Sequence, residues 1–576
     1  MELTSLKVHR RAKRGDVDAE AGDTSPLMVQ ESDSDNASLR APGTGGTGQQ
    51  NVDPEWLRRL EDNGERELPR FMRSGWFKSL FILVIVLVAL SPIIFKVRRE
   101  SAELERRRYH NDSFKEKNPN VSSLPADEQW NYYCHASFPG ALDTLNYTAP
   151  GEATLISVQV ITRHGDRAPC NVLPHEVNIT WYCDDPDPYD PAFTPVKISH
   201  IRDEPPALRP SNLWQQGNCA ACDLTGRGLV QHYMLGEALG AIYSQFVAIN
   251  PNTVYARSTD EARTRQSAEA FIRGLLTVAV EAGTVQLRTG VINRADMLRP
   301  QPTMCPALAD AFDAIQQSEP WGQNLEEHGG LMTSLTAMLE TTDPGFPSGG
   351  EWNTSFDHFF DNIQSRHCHG LAMPCALHAA SAAVSASERN GTSDGNSSTA
   401  ESSSSGGAAG GDECVTEEQH LELYEAASWE FRYRFGGTHL RHVVARLGSG
   451  ALVGQLLENM QAATSSTFDA KVASPAGKDG VFFLYSGHDD TIGGLLSALQ
   501  VAGWNWPPYA SNLIWELWRD DSSSQPFVRV IYNGKVLELP FCSQATCPLQ
   551  EFRSWLLAHV VPSDMLAECQ QGPQGA

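Results

Sequence analysis

The first 133 residues contain no cysteine, whereas all twelve cysteines of the chain lie at or after Cys134. That absence excludes a disulfide framework from the amino-terminal part and implies that the two parts of the chain meet different redox environments. Residues 1–78 also have too few aliphatic side chains to bury a core. They are rich in Ser, Asp, Gly and Gln, so a largely disordered tail is expected, with "KVHRRAKRGD" as a solvated basic run. One long apolar stretch, by contrast, lacks charge altogether. "SLFILVIVLVALSPIIF", residues 79–95, spans 17 positions, near the lower limit for crossing a bilayer core, and begins too far along the chain for a cleaved secretory signal. It predicts a retained transmembrane anchor, with a charged stem over 96–129 and a globular part over 130–576.

Basic residues flank this anchor equally, six on each side, so charge does not orient it. Sequons do. Seven N-x-S/T sites follow it, at Asn111, Asn120, Asn146, Asn178, Asn353, Asn390 and Asn396, and only Asn36 precedes it. Together with the cysteines they place the globular part in an oxidising, glycosylating lumen and the amino terminus in the cytosol, a single-pass type II arrangement. The short span suits the thinner membranes of the early secretory pathway.

Positive charge is also scarce, with 45 Lys+Arg against 70 Asp+Glu. After residue 108 the balance is 27 against 53, a net charge near −26. Such acidity argues against nucleic acid or another polyanion as a tightly held partner, and it makes any local arginine cluster conspicuous.

The globular part alternates apolar and polar segments in the manner of an α/β protein. "TLISVQVIT" (154–162), "TVYARST" and "VFFLYS" (481–486) read as buried strands, and "NLIWELW" with "FVRVIYNG" as a closing hairpin. "LTGRGLVQHYMLGEALGAIYSQF" has helical apolar spacing. "DEARTRQSAEAFIRGLLTVAV" reads as a helix whose start Ser258 or Thr259 could cap. Residues 376–413 form a Ser/Gly/Ala-rich insertion, expected to be a tolerated surface loop.

The conspicuous cluster is "VITRHGDRAPC", at the end of the first strand. Arg163, His164 and Arg167 sit where ligands collect in open α/β sheets, beyond the carboxyl ends of the strands. Two guanidinium groups match phosphate oxygens, and neighbouring cations keep an imidazole neutral and nucleophilic. For a bare "RHG", a surface cluster paired with acids such as Asp166 is the simpler account. The full R-H-G-x-R-x-P pattern is rarer, occurring by chance on the order of once in several thousand chains of this size.

On these residues the sequence resembles the histidine acid phosphatases, which hydrolyse phosphomonoesters through a phosphohistidine. "LTGRGLVQH", "STDEARTRQSAEAF", "YSGHDDT", "PPYASNLIWELW" and "FCSQATCPLQEF" follow in the family's order, from about Leu155 to Phe552. The resemblance implies a three-layer α/β sandwich with a smaller, mainly helical cap. It implies His164 as nucleophile, Arg163, Arg167, Arg263 and His488 as phosphate-binding groups, and Asp489 as proton donor and then base; the adjacent Asp490 is separated from Asp489 only by the motif. The anchor, "YCHASFPG", "CHGLAMPC" and "ELWRD" leading to "VRVIYNG" are similar to a Golgi member of the family. They imply a Golgi lumenal enzyme that removes the 2-phosphate of xylose in the proteoglycan linkage region. The alternatives are a broad-specificity lumenal acid phosphatase and a catalytically silent binding protein on the same fold.

No cofactor is expected. Cys219 and Cys222 form a C-x-x-C, but no second such pair completes a zinc site, so structural disulfides are the expectation, with Cys542 and Cys547 a plausible local pair.

Overall fold

The computed structural model describes residues 133–138, 147–173, 176, 179–181, 183, 196–202, 216–279, 283–290, 296–342, 352–376, 414–464, 482–544 and 546–571. All belong to the unit Ser101–Ala576. The expected tail (1–78), membrane span (79–95), stem (96–129) and all but the first residue of the 376–413 insertion lie outside the described residues. Among the described residues, no helix is long and apolar enough to cross a membrane.

The strands among the described residues are β1 (Ala153–Arg163), β2 (Thr180–Trp181), β3 (Val196–Arg202), β4 (Gln216–Gly217), β5 (Val254–Ser258) and β6 (Gly283–Thr289). They continue with β7 (Phe482–Gly487), β8 (Asn512–Asp520), β9 (Pro526–Tyr532), β10 (Lys535–Val536) and β11 (Cys547–Pro548). The helices are α1 (Gly226–Tyr243), α2 (Ala262–Leu275), α3 (Pro306–Gln316), α4 (Glu319–Glu327), α5 (Gly329–Met338) and α6 (Asp357–Cys368). After them come α7 (Glu417–Arg432), α8 (Arg441–Ala463), α9 (Asp489–Ala498), α10 (Leu549–His559) and α11 (Met565–Gln571).

One mixed sheet organises the fold, in the order β10-β9-β8-β1-β7-β5-β6-β3, with β11 beside β9. From β1 through β7, β5 and β6 to β3 the pairing is parallel, whereas β8 and β9 form the expected antiparallel hairpin against the other side of β1. β1 is buried on both faces, and its side chains divide by the two-residue period of a strand. Val158 and Val160 join a core with Leu235, Leu239 and Ile242 of α1 and with Ala268 and Phe271 of α2. Ile161 joins the opposite core with Leu452 and Leu456 of α8 and with Ile492 and Leu495 of α9. Gln159, also on that second face, is satisfied by Leu456 O and by the Asn459 amide. Helices on both sides of a mixed sheet are the sandwich the sequence implied. The second core continues into the helices α3–α7 through Leu308, Trp321, Leu335, Phe359 and Leu423.

The parallel register aligns the carboxyl ends of three central strands. Arg163 stands beside Gly487, and Ser258 beside Ser486. The residues that follow, His164, His488 and Thr259, therefore emerge at one edge of the sheet.

The helix expected after "TVYARST" forms, but its cap differs. The N-cap position is Glu261, without a side-chain cap bond, and the helix begins at Ala262. Thr259 is occupied elsewhere, its hydroxyl lying 2.7 Å from Thr264 Oγ1 and 3.0 Å from His488 Nε2. Six disulfides engage all twelve cysteines: 134–368, 170–222, 183–219, 305–569, 375–414 and 542–547. Cys219 and Cys222 take separate partners, and Cys542 pairs locally with Cys547. Cys375–Cys414 closes the base of the Ser/Gly-rich insertion.

Candidate active site

The turn after β1 is packed so tightly that it demands glycine. A Cβ on Gly165 would run into the backbone of Gly228 in α1, and one on Gly228 into Asp166. The glycines of "RHG" and "TGRG" are thus two halves of one contact. The backbone of the turn is fixed by Arg163 N to Ser511 O (2.8 Å), His164 N to Gly487 O (2.9 Å) and Ala510 N to His164 O (3.0 Å). Ala510 adopts φ of +58°, a left-handed conformation costing a non-glycine residue about 1 kcal/mol or more, which the surrounding bonds sustain.

His164 is buried, with 2% of its surface exposed. Its Nδ1 lies 2.8 Å from Gly165 O, which can only accept, so Nδ1 carries the proton and Nε2 keeps an unshared pair. Burial, and then the charges of Arg263, Arg163 and Arg167, hold this imidazole well below its ordinary range. It stays neutral and nucleophilic at any physiological pH.

Around it stand three arginines, each tethered by a carboxylate. Arg167 Nη2 bonds Asp361 Oδ1 at 2.7 Å, and Arg263 Nη1 bonds Glu261 Oε2 at 3.2 Å. Burial lowers Arg263 to about 10. Arg163 is fully buried and lies one layer behind the pocket wall. Its guanidinium donates to Pro507 O (2.5 Å) and the Tyr133 hydroxyl (2.7 Å), pairs with Asp489 Oδ2 (3.1 Å), and packs on the rings of Tyr133 and Tyr509. The Nε atoms of Arg163, Arg167 and Arg263 are buried without an acceptor among the described residues. Asp166 takes no part in this cluster. It turns away to the Thr225 hydroxyl and His369 Nε2, both at 2.6 Å, which removes the simple account of a surface Arg/His patch paired with that acid.

His488 follows β7 at the N-cap of α9. Its Nδ1 faces Arg263 Nη2 at 3.4 Å, so Nδ1 is the acceptor and Nε2–H donates to Thr259 Oγ1. The Thr259 hydroxyl then donates to Thr264, whose hydroxyl donates to Glu261 O at 2.9 Å. Burial and neighbouring arginines keep His488 neutral as well.

The adjacent carboxyls are separated by their partners. Asp489 Oδ2 accepts from Trp506 Nε1 (2.9 Å) and forms an ion pair with Arg163 Nη2 (3.1 Å), and Oδ1 accepts from Asp490 N (3.0 Å). Burial would raise its pKa, but Arg163 and the indole outweigh it and hold the group below the usual carboxylate range. Asp490 meets Arg299 at 3.5 Å and accepts from the Thr491 backbone amide, but burial outweighs both and, with the neighbouring Asp489 charge, pushes it up to about 6.

The structure therefore brings His164, Arg167, Arg263, His488 and Asp489 to one pocket of about 510 Å³, with Arg163 directly behind. Asp361, Trp506, Tyr133 and Tyr509 were not singled out from sequence, and Thr259 was expected only as a possible helix cap. The run "WNWPPY" was the available signal for Trp506 and Tyr509, since so dense an aromatic cluster next to a motif segment needs a packing partner. No group of three or more His, Cys, Asp or Glu side chains suited to a metal ion occurs among the described residues.

An uncharged imidazole nitrogen among arginines, with a carboxyl group alongside, is a site equipped for phosphoryl transfer through histidine. Comparison with known proteins gives the same class. The profile of the histidine phosphatase superfamily, branch 2, matches residues 154–533, and the chain belongs to that family. It is a hydrolase of phosphomonoesters. Counting factor 60 of Dictyostelium discoideum is 26% identical over 459 residues, covering 75% of this chain and 91% of that protein. Lysosomal acid phosphatase of Xenopus laevis is 26% identical over 429 residues, with 72% and 78% covered. Human 2-phosphoxylose phosphatase 1 is 25% identical over 435 residues, with 70% and 77% covered.

Proposed function

We propose that the chain hydrolyses a sugar phosphate through a phosphohistidine at His164, and that its substrate is a 2-phosphorylated xylose of the proteoglycan linkage region, met in the Golgi lumen. The observation that carries the mechanism is the tautomer of His164. With Nδ1 committed to Gly165 O, Nε2 is the only ring atom able to attack phosphorus. In the first step Nε2 forms the P–N bond as the ester P–O bond breaks. Arg167, Arg263 and His488 stabilise charge on the transferring oxygens, and Arg163 adds its field from behind. Asp489 protonates the departing alkoxide, then as carboxylate takes a proton from the water that cleaves the P–N bond, which regenerates His164 and releases phosphate.

A sugar-sized alcohol suits the outer pocket, which is walled by Tyr133, Phe431, Phe435, Phe312 and Trp506. The likeness to 2-phosphoxylose phosphatase 1, the apolar segment at 79–95 and the complete use of cysteine in disulfides support the substrate and compartment. The test compares a xylosyl 2-phosphate acceptor with a generic aryl phosphate on the purified lumenal part. A preference for the sugar ester of tenfold or more in kcat/KM is expected. Equal rates would replace this substrate with broad acid-phosphatase activity. His164→Ala should abolish turnover and any acid-quenched phosphoenzyme while the fold persists, and near-normal turnover in that variant would end the mechanism.

A further inference from the structure

Trp506 stands outside the motif residues, yet it is the hinge between the acid and the helices above it. Its ring is stacked between Phe360 of α6, with centroids 4.6 Å apart and 18° between planes, and Phe431 of α7, at 4.5 Å and 22°. Tyr133 meets it edge-on at 6.4 Å. Only 8% of Trp506 is exposed. Within this sandwich the indole has little freedom to rotate, and its one polar atom points at Asp489 Oδ2, 2.9 Å away.

The donor count at Asp489 then decides where a proton can sit. A carboxylate oxygen accepts about two hydrogen bonds through its in-plane lone pairs. Oδ2 already accepts the indole N–H and faces the Arg163 guanidinium at 3.1 Å as its ion-pair partner, whereas Oδ1 accepts from the Asp490 amide and faces no cation at that distance among the described residues. An indole donates and never accepts, so it cannot turn to receive a proton from the acid as a hydroxyl would. The geometry points to Trp506 as a positioning residue that, with Arg163, reserves Oδ2 and leaves Oδ1 to carry the transferable proton of Asp489. The inference rests on the reading of Asp489 as the general acid. Because Phe360 and Phe431 clamp the indole, the two helices that carry them fix the orientation of the acid without touching it.

The experiment replaces Trp506 by Phe, which keeps an aromatic ring in the sandwich and deletes the N–H. The groups facing Asp489 are then Arg163, the Asp490 carboxyl and amide, Tyr133, and more distantly Arg167, Arg263 and Arg299, all unchanged. Loss of a donor to the charged form raises the pKa of Asp489, so the alkaline limb of the kcat profile for an alkyl phosphate, which reports the enzyme–substrate complex, should move to higher pH. Loss of orientation should lower kcat on the alkyl phosphate about tenfold, with KM nearly unchanged. Phosphorylation of the enzyme by p-nitrophenyl phosphate, whose leaving group needs no proton, should fall less than threefold in pre-steady-state bursts. Trp506→Met, which also has no polar hydrogen and keeps apolar bulk between the two rings, should behave alike if the Phe variant folds poorly.

Asp489→Asn is run beside them. If it loses the alkyl ester selectively while the Trp506 variants lose both substrates equally, with no movement of the limb, the positioning role is wrong and the acid assignment stands. If Asp489→Asn itself loses both substrates equally, the acid assignment falls and the role of Trp506 falls with it.

Discussion

Replacing Asp361 by Asn changes one atom of the carboxylate that holds Arg167. Oδ2 of Asp361 accepts from Cys170 N (2.7 Å), Asn171 N (2.8 Å) and Asn171 Nδ2 (3.1 Å), while Oδ1 pairs with Arg167 Nη2 at 2.7 Å. Three donors converge on one oxygen, so the amide oxygen of the variant must take that position. The NH₂ group is then forced against the guanidinium, donor to donor. Both side chains are more than nine-tenths buried, so the result is a buried cation without its counter-charge. Breaking such a pair costs about 3–5 kcal/mol, and the lower end applies here because Arg167 keeps its bond to Ala168 O and can lean toward the pocket. Denaturant unfolding with disulfides intact should show that loss. In steady-state assays kcat should fall about tenfold to a hundredfold, the penalty of a misplaced charge at the transferring phosphoryl group. Inhibition by inorganic phosphate should be no weaker, since the pocket has gained positive potential. A variant with wild-type stability and wild-type kcat would refute the argument that Asp361 sets the position of Arg167.

Two further outcomes follow from buried groups near the site. Glu430 is buried beneath the helices, accepts from the Ser355 hydroxyl (2.7 Å) and Phe356 N (2.8 Å), and is pushed up to about 8, chiefly by burial. Its folded pKa lies above its unfolded one, so the stability it lends is complete below about pH 4.5 and is lost as pH rises through 8. Wild type should lose about 3 kcal/mol more than Glu430→Gln between pH 5 and 8, read from unfolding at each pH, and parallel curves would contradict this. Thr259→Val strands the Nε2–H of His488, leaving a buried donor unmade at a cost of about 1–3 kcal/mol. It should lower kcat/KM about tenfold, with Thr259→Ser restoring it; a Ser variant as impaired as Val would point to packing instead of the hydroxyl.

Much of the site was legible because its residues cluster in short motifs at strand ends. A buried β-branched run before "RHGDRAP" defined β1, and the parallel register of β1, β7 and β5 does the rest by carrying His164, His488 and Thr259 to one edge. What stayed hidden depends on contacts remote in sequence. Asp361 lies 194 positions beyond Arg167, inside a helix where an acid ordinarily reads as a solvated face. The cap assignment at Thr259 failed for a related reason. A threonine before a helix is usually taken by the nearest backbone amide, but here His488, 229 residues away, claims the hydroxyl. Arg163 was expected among the phosphate-binding groups, and the two tyrosine rings and Pro507 O that bury its guanidinium were not predictable from the motif.

The arrangement also changes how the acid obtains its proton. A general acid at Asp489 must be protonated for the first step, and a mildly acidic lumen is the simplest source of that proton. In the free enzyme, however, Arg163, the indole and the Asp490 amide all favour the carboxylate, so the ground state is ionised even below the pH at which Asp490 titrates. Arrival of a phosphate ester reverses the local field. Its charge lies among the same guanidinium groups that held Asp489 ionised, and two like charges sharing those donors push the carboxyl upward. A phosphomonoester has its own second ionisation near about pH 6, so the monoanion brings a proton with it. On the proposed mechanism, transfer of that proton to Oδ1 leaves the substrate as a dianion, which the arginines bind better, and leaves Asp489 as the acid that the departing alkoxide needs. On the proposed mechanism, the loss of activity above neutrality therefore belongs to the substrate's ionisation as much as to Asp489. The low pKa of the free carboxyl keeps the group ionised for the second step of the proposed mechanism, in which it takes a proton from water.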